Sequence, residues 1–250
     1  MLLSLTEVSK SNLQNNEMDI SYTSSPSPFL SEKALVREFS NLAKFRVDSS
    51  IGHTMELNAG NGIADIGIYK LRADWKNYAN IALLRPQWAY PLVSLPYRKT
   101  FNENILKTLA CVSNKSAKII LKQYCAAGFC HKNSSGWIKV HQPRNPINQI
   151  YAIEAKLRDW KKALYQATRY HEFAHQSWVL LDHYYSGIAL KNKNEFIKRN
   201  VGLASIERDG KLSIHINSVT SAPRSPYRYW FATSLILREI LSQKSTVEPV

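Results

Sequence analysis

Glu154, Ala155 and Lys156 stand where an apolar run, "IYAI", gives way to a basic segment, "LRDWKKALYQATRY". An acid and a lysine two residues apart on a strand project from the same face. The spacing itself is common: acid, any residue, lysine also begins at Asp74, Asp159 and Asp209. Context separates them. Asp159 and Lys161 fall inside a helical pattern, while Asp209 and Lys211 straddle an Asp-Gly hairpin turn. Only Glu154-Ala155-Lys156 closes an apolar strand that feeds a helix. Only it follows an earlier apolar strand with a lone acid, Asp65 in "IADIGIY". An unpaired buried carboxylate is costly, so Asp65 is expected to bind a metal or a strong donor, or to sit at the strand's exposed end.

If those two strands pair, two carboxylates and one ammonium converge. Two carboxylates suit Mg²⁺, with waters and a substrate phosphate completing the octahedron; Mn²⁺ is the expected substitute. On this reading Asp65 and Glu154 hold the ion and the carbonyl of Ala155 joins them. Lys156 orients or helps deprotonate the attacking water, or stabilises developing charge. That is chemistry for metal-assisted phosphodiester hydrolysis.

A rival constellation is "HEFAH", His171 to His175, which matches the His-Glu-x-x-His pattern of zinc peptidases, with Glu195 downstream as a third ligand. It requires both histidines on one helix face and Glu172 as general base. Against it, "SWVLL" reads as a strand starting two residues after His175, and His171 falls on the apolar face of its helix.

The elements that position these groups follow from periodicity. In "SEKALVREFSNLAKF", Leu35, Val36, Phe39, Leu42 and Ala43 share a helical face. Glu32 projects onto it, either as a first-turn acid complementing the helix dipole or as a carboxylate aimed at a neighbouring site. "TMELNAGNGIADIGIYKL" reads as two strands about a tight Asn/Gly turn. A strand over 149–156 precedes a helix over about 158–174. "SWVLLD" is a further strand, and "VGLASIERDGKLSIHI" a hairpin with an Asp-Gly turn. A final helix starts at Pro226, with Ser225 as its cap.

Residues 101–140 read as a separate unit: helix, turn, helix and a hairpin with a Ser-Gly turn, the pattern of a winged helix. Its first helix is not evident, and residues 86–95 are the candidate segment. On the second helix, Lys115, Lys118 and Lys122 fall within about 60° of one another, opposite Ala117, Ile120, Leu121 and Tyr124. The lysine stripe, with Lys132 on the hairpin, suits DNA phosphates.

The 250 residues carry a net charge of +14, which favours a polyanionic partner, nucleic acid before a membrane surface. Three cysteines argue against a disulfide framework and for a reducing compartment. No run is long and apolar enough to span a membrane. The expectation is a soluble, intracellular, cytoplasmic protein.

The matching residues resemble the PD-(D/E)xK nuclease superfamily, which includes restriction endonucleases and resolvases: Asp65 in "IADIGIY", then Glu154 and Lys156 in "YAIEAKL". Gln166 and Tyr170 are similar to the Gln-x-x-x-Tyr that follows the lysine in several branches. Glu32 sits where some branches use a carboxylate on the first helix, and Glu56 is a lesser candidate. Ala64 stands where the motif's proline would be, and the gap between Asp65 and Glu154 is long for the family. The resemblance implies an α/β fold, a restriction-endonuclease-like mixed central sheet flanked by helices, here with an inserted winged helix-turn-helix. It implies Mg²⁺-dependent cleavage of nucleic acid, DNA before RNA, and leaves room for a homodimer. The expected layout is a flexible N-terminal extension over 1–30, a nuclease core over 31–90 and 147–242, an insert over 91–146 and a tail over 243–250. A catalytically silent DNA-binding or assembly module on the same fold is the alternative.

Overall fold

A computed structural model describes residues 27–44 and 50–245. Two compact units are present, each drawn from two stretches of chain: Met1–Lys70 with Gln149–Arg224, and Leu71–Asn148 with Ser225–Val250. This division differs from the expected core and 91–146 insert. Residues 71–90 and the last helix cluster with the inserted segment, because that helix packs against the 3₁₀ turns and the short helix of residues 75–94.

The first unit is an α/β fold with a mixed six-stranded sheet flanked by helices. Helix α1 (Glu32–Lys44) precedes the antiparallel pair β1 (Ile51–Asn58) and β2 (Ile63–Leu71). Strand β6 (Ile147–Lys156), helix α5 (Trp160–Tyr170) and β7 (Gln176–Asp182) form a parallel crossover. Two short helices, α6 (Gly187–Lys191) and α7 (Lys193–Lys198), lead to β8 (Val201–Ile206), parallel to β7, and β9 (Leu212–Ile216) returns antiparallel. The sheet order is β1-β2-β6-β7-β8-β9.

Strand alternation sorts β6 into two faces. Ile153 and Ala155 join Leu35 and Phe39 of α1, with Trp178, Leu180 and Ile206, in one buried cluster. Glu154 and Lys156 lie on the other face, where Glu154 meets Tyr170 of α5. Gly202 of β8 has no substitute, because a Cβ there would lie 2.2 Å from the ring of the buried Trp178. Asp159 caps α5 by accepting from the Lys162 N–H, and α5 ends at Tyr170, four residues short of the expected 174.

The second unit begins with 3₁₀ turns over Trp75–Leu83 and Pro86–Trp88, then α2 (Ala89–Ser94). It continues through β3 (Thr100–Phe101), α3 (Glu103–Ala110), α4 (Asn114–Ala126), β4 (Cys130–Asn133) and β5 (Gly136–Lys139), and closes with α8 (Pro226–Ser245). Residues 86–95 thus supply a helix ahead of β3. The small sheet has the order β3-β5-β4. Asn102 and Ser113 cap α3 and α4 through their side-chain oxygens. Ile120, Leu121 and Tyr124 of α4 are fully buried, and the Tyr124 hydroxyl donates to Trp88 O at 2.7 Å. The hairpin turn is Ser134-Ser135, not Ser-Gly: Asn133 pairs with Gly136, which starts β5 at φ 145°, where a Cβ would meet Phe101 O at 2.6 Å.

Most of the N-terminal extension expected over 1–30 lies outside the described residues, as does 246–250 of the expected tail. Phe29 is an exception to a free arm: it is buried, and its N–H donates to Asp182 at 2.7 Å. No described helix is long and apolar enough to cross a membrane.

Candidate active site

Strands β2 and β6 are neighbours in the sheet. That adjacency brings Asp65 to the end of β6, where its Oδ2 accepts from the Ala155 N–H at 2.8 Å across 90 positions of sequence. The Lys156 ammonium lies 2.8 Å from Glu154 Oε1, 3.2 Å from Glu32 Oε2 and 3.9 Å from Asp65 Oδ2. It also donates to Ala155 O at 2.9 Å. The Tyr170 hydroxyl lies between two acceptors, the second Glu154 oxygen and Ile63 O, and shares its one hydrogen between them, so α5 meets both strands.

Exposure is graded across the cluster. The Glu154 side chain is 1% exposed and Lys156 11%, whereas Asp65 is 32% and Glu32 49%. Glu154 forms the dry floor and Asp65 and Glu32 the wet lip. Burial pushes the carboxyl groups of Asp65 and Glu154 up, against the pull of Lys156 and of their hydrogen bonds. Burial alone would lower Lys156, but the hydrogen bond and charge of Glu154, with Asp65 and Glu32, outweigh it and hold the ammonium above its usual value. Lys156 is therefore a cation at neutral pH. Glu56, at φ 53° on β1, adds its own charge to the upward push on Asp65. It is exposed and touches the site only through that field.

Three carboxylates around one ammonium leave a net negative, all-oxygen donor set, which suits a hard divalent ion. Asp65, Glu154 and the carbonyl of Ala155 are the oxygens that could hold such an ion, and of the two acids Asp65 is the more exposed. Among the described residues no three His, Cys, Asp or Glu side chains are already gathered as a metal cage, and the Lys156 ammonium stands between the acids. Gln166 shares a face of α5 with Tyr170, one turn away. Its Oε1 is buried with no hydrogen-bond partner among the described residues, an acceptor held ready for a donor such as water.

The remaining predicted positions separate. Lys115, Lys118 and Lys122 are exposed along α4 of the second unit, opposite its buried face. Lys132 is exposed on β4, its ammonium 5.8 Å from the Trp137 ring. The "HEFAH" geometry does not form. The helix stops before His171, whose Nε2 lies 3.1 Å from Arg199 O, and His175 Nδ1 accepts from the Ile150 N–H at 3.1 Å. Burial lowers both imidazoles, which serve as neutral ties for the backbone.

One buried ionisable group had no sequence signal as such. Lys139 of β5 is fully buried in the second unit. In "WIKV" it reads as one more surface lysine of an alternating strand. Comparisons with protein-family models, curated proteins and solved structures return no match, so the geometry alone carries the reading of this site.

Proposed function

We propose that this chain is a metal-dependent nuclease of the PD-(D/E)xK kind, an endonuclease acting on DNA with Mg²⁺. The observation that carries the proposal is the meeting of Asp65 with the Glu154-Ala155-Lys156 strand end, sealed by the Ala155 N–H bond to Asp65. Surface ion pairs gather two groups; this cluster gathers three acids and one lysine from α1, β2 and β6.

Bound at these oxygens, Mg²⁺ would polarise the phosphate and acidify its water. Tyr170 and Lys156 fix the two oxygens of Glu154, so that carboxylate is oriented before any ligand arrives. Because its neighbours keep Lys156 protonated, its role is donation: it holds a phosphate oxygen or aligns the water rather than removing a proton. Gln166, whose carbonyl oxygen has no partner among the described residues, would be an acceptor for a water at the site.

The second unit supports nucleic acid as the substrate. Its helix, strand, helix, helix and hairpin order, with the sheet β3-β5-β4, is compatible with a winged-helix reading and supports it. Its exposed lysine stripe on α4 supplies cations of the kind that phosphate contacts need. Plasmid nicking with Mg²⁺ tests the proposal, with EDTA and Lys156→Ala as controls. The expected result is metal-dependent nicking that both controls abolish. A folded wild-type chain that binds DNA but cuts neither DNA nor RNA, with Mg²⁺ or Mn²⁺, would replace it with the silent binding module.

A further inference from the structure

Helix α5 has a second working side. Away from Gln166 and Tyr170, its outer flank and α7 enclose an open cavity of about 510 Å³, within the ~300–1,000 Å³ of small-ligand sites. Its floor is Leu164 and the edge of Trp160, which packs on Phe196 at a ring separation of 5.8 Å. Tyr165 stands on the rim with 68% of its surface in water. Lys161, Arg169 and Arg199 line the walls.

Single exposed aromatics are ordinary. Here the ring borders a cavity walled by three cations, and one acid, Glu195, opposes them. Glu195 is already engaged by Arg199 at 2.6 Å and Lys198 at 3.6 Å. Lys161 lies over Trp160 at 5.7 Å and leaves the Tyr165 face open. Arg169 reaches Asn61 in the β1–β2 turn at 3.2 Å, and the next residue, Tyr170, holds Glu154. The cavity therefore runs along the helix that organises the candidate centre.

From this we infer that the α5–α7 cavity is a subsite for an unpaired nucleotide, whose base stacks on Tyr165 while Lys161 and Arg169 hold its phosphates. A flat ring with surrounding cations is the recognition chemistry of single strands. A base inside a duplex cannot present its face to Tyr165. The inference rests on the nuclease reading for its strand and deepens it: the substrate carries a single-stranded stretch, a flap, a gap or an end.

The test uses the full chain in EDTA, so that binding is measured apart from cleavage. Fluorescence anisotropy compares oligo-dT and oligo-U of roughly 12 nucleotides with a blunt duplex. Tyr165→Ala should weaken binding of at least one single strand ~10-fold and leave duplex affinity unchanged. Tyr165→Phe should restore wild-type binding. Which single strand responds identifies DNA or RNA. Unchanged single-strand affinity in Tyr165→Ala, an equal loss on duplex, or no rescue by phenylalanine would overturn the subsite. A parallel Mg²⁺ assay on flapped and duplex DNA keeps the two readings apart. Tyr165-dependent binding without cleavage retains the subsite and removes the nuclease, whereas cleavage with Tyr165-independent binding does the reverse.

Discussion

Lys156 and Lys139 are both buried lysines at the ends of strands, one in each unit, and their surroundings drive them in opposite directions. Lys156 sits among Glu154, Asp65 and Glu32, which hold its charge above the usual lysine range. Among the described residues no carboxylate lies beside Lys139. Its ammonium donates to Leu92 O and Val93 O, each at 3.1 Å, and burial lowers its pKa to about 8. Those carbonyls belong to the last turn of α2, where helical partners run out. Its cross-strand partner is Cys130, whose thiol burial pushes up to about 12. One lysine is kept charged by acids with room for chemistry; the other is a structural nail between hairpin and helix. Burial alone identifies neither, because the partner decides the role.

The largest expected contrast is in activity. Lys156→Ala should cut Mg²⁺-dependent nicking by ~10²–10³-fold with an unchanged circular dichroism spectrum, whereas a folded Lys139→Ala chain should keep its rate. Stability should reverse the order. Lys139→Ala removes the shorter donor from both carbonyls, leaving Leu92 O to the Leu95 N–H at 3.3 Å and Val93 O to Gln142 Nε2 at 3.4 Å, and it opens a void, costing ~2–4 kcal/mol in urea unfolding. A smaller cost at Lys139 than at Lys156 would erase the distinction. Next, Tyr170→Phe removes the donor that orients Glu154 and should lower nicking ~10–100-fold without weakening DNA binding. Changing Lys115, Lys118 and Lys122 together to alanine probes lysines with neither kind of partner. Their loss should reduce the salt dependence of DNA binding by about 0.9 per lost phosphate contact, and an unchanged slope would show that α4 does not grip the backbone.

The smallest effect is the most specific. The folded pKa of Lys139 is below its unfolded value, so between about pH 8 and the ordinary lysine range the unfolded chain binds more protons. The contribution of Lys139 to stability should therefore rise with pH across that window. It should be flat below it, where both states are protonated. Melting temperatures of wild type and Lys139→Met, compared across pH, read this directly. A difference that falls as pH rises would mean that Lys139 is held charged, as Lys156 is.

Much of the candidate site is legible in order but not in contact. The period of two places Glu154 and Lys156 on one face, and the apolar run around Asp65 marks that acid as needing a partner. The two faces of α4 also follow from periodicity, and Ala117, Ile120, Leu121 and Tyr124 are buried as read. The helix over 158–174 fails at its end for a stated reason. Residues 171–174 continue the apolar spacing, but there the chain turns so that the His175 N–H can bond Ile150 O at 2.8 Å before β7 begins. Sheet entry outweighs helical continuation, and the zinc-peptidase pattern loses its helix with it. The unit boundaries escape the sequence because α8 has apolar residues around much of its surface and shows no preference for one partner.

The sequence by itself determined which residues share a face, between which strands a turn must fall and that Asp65 could not stay alone. Those are local properties, fixed by backbone geometry and desolvation cost. Only the tertiary structure decided that β2 lies beside β6, that Glu32 reaches Lys156 from α1, and that Lys139 is buried against α2. Each of these joins segments far apart in the chain. A lysine's spelling carries no record of whether a carboxylate or a carbonyl will be waiting, and that difference separates the candidate catalytic lysine from the structural one.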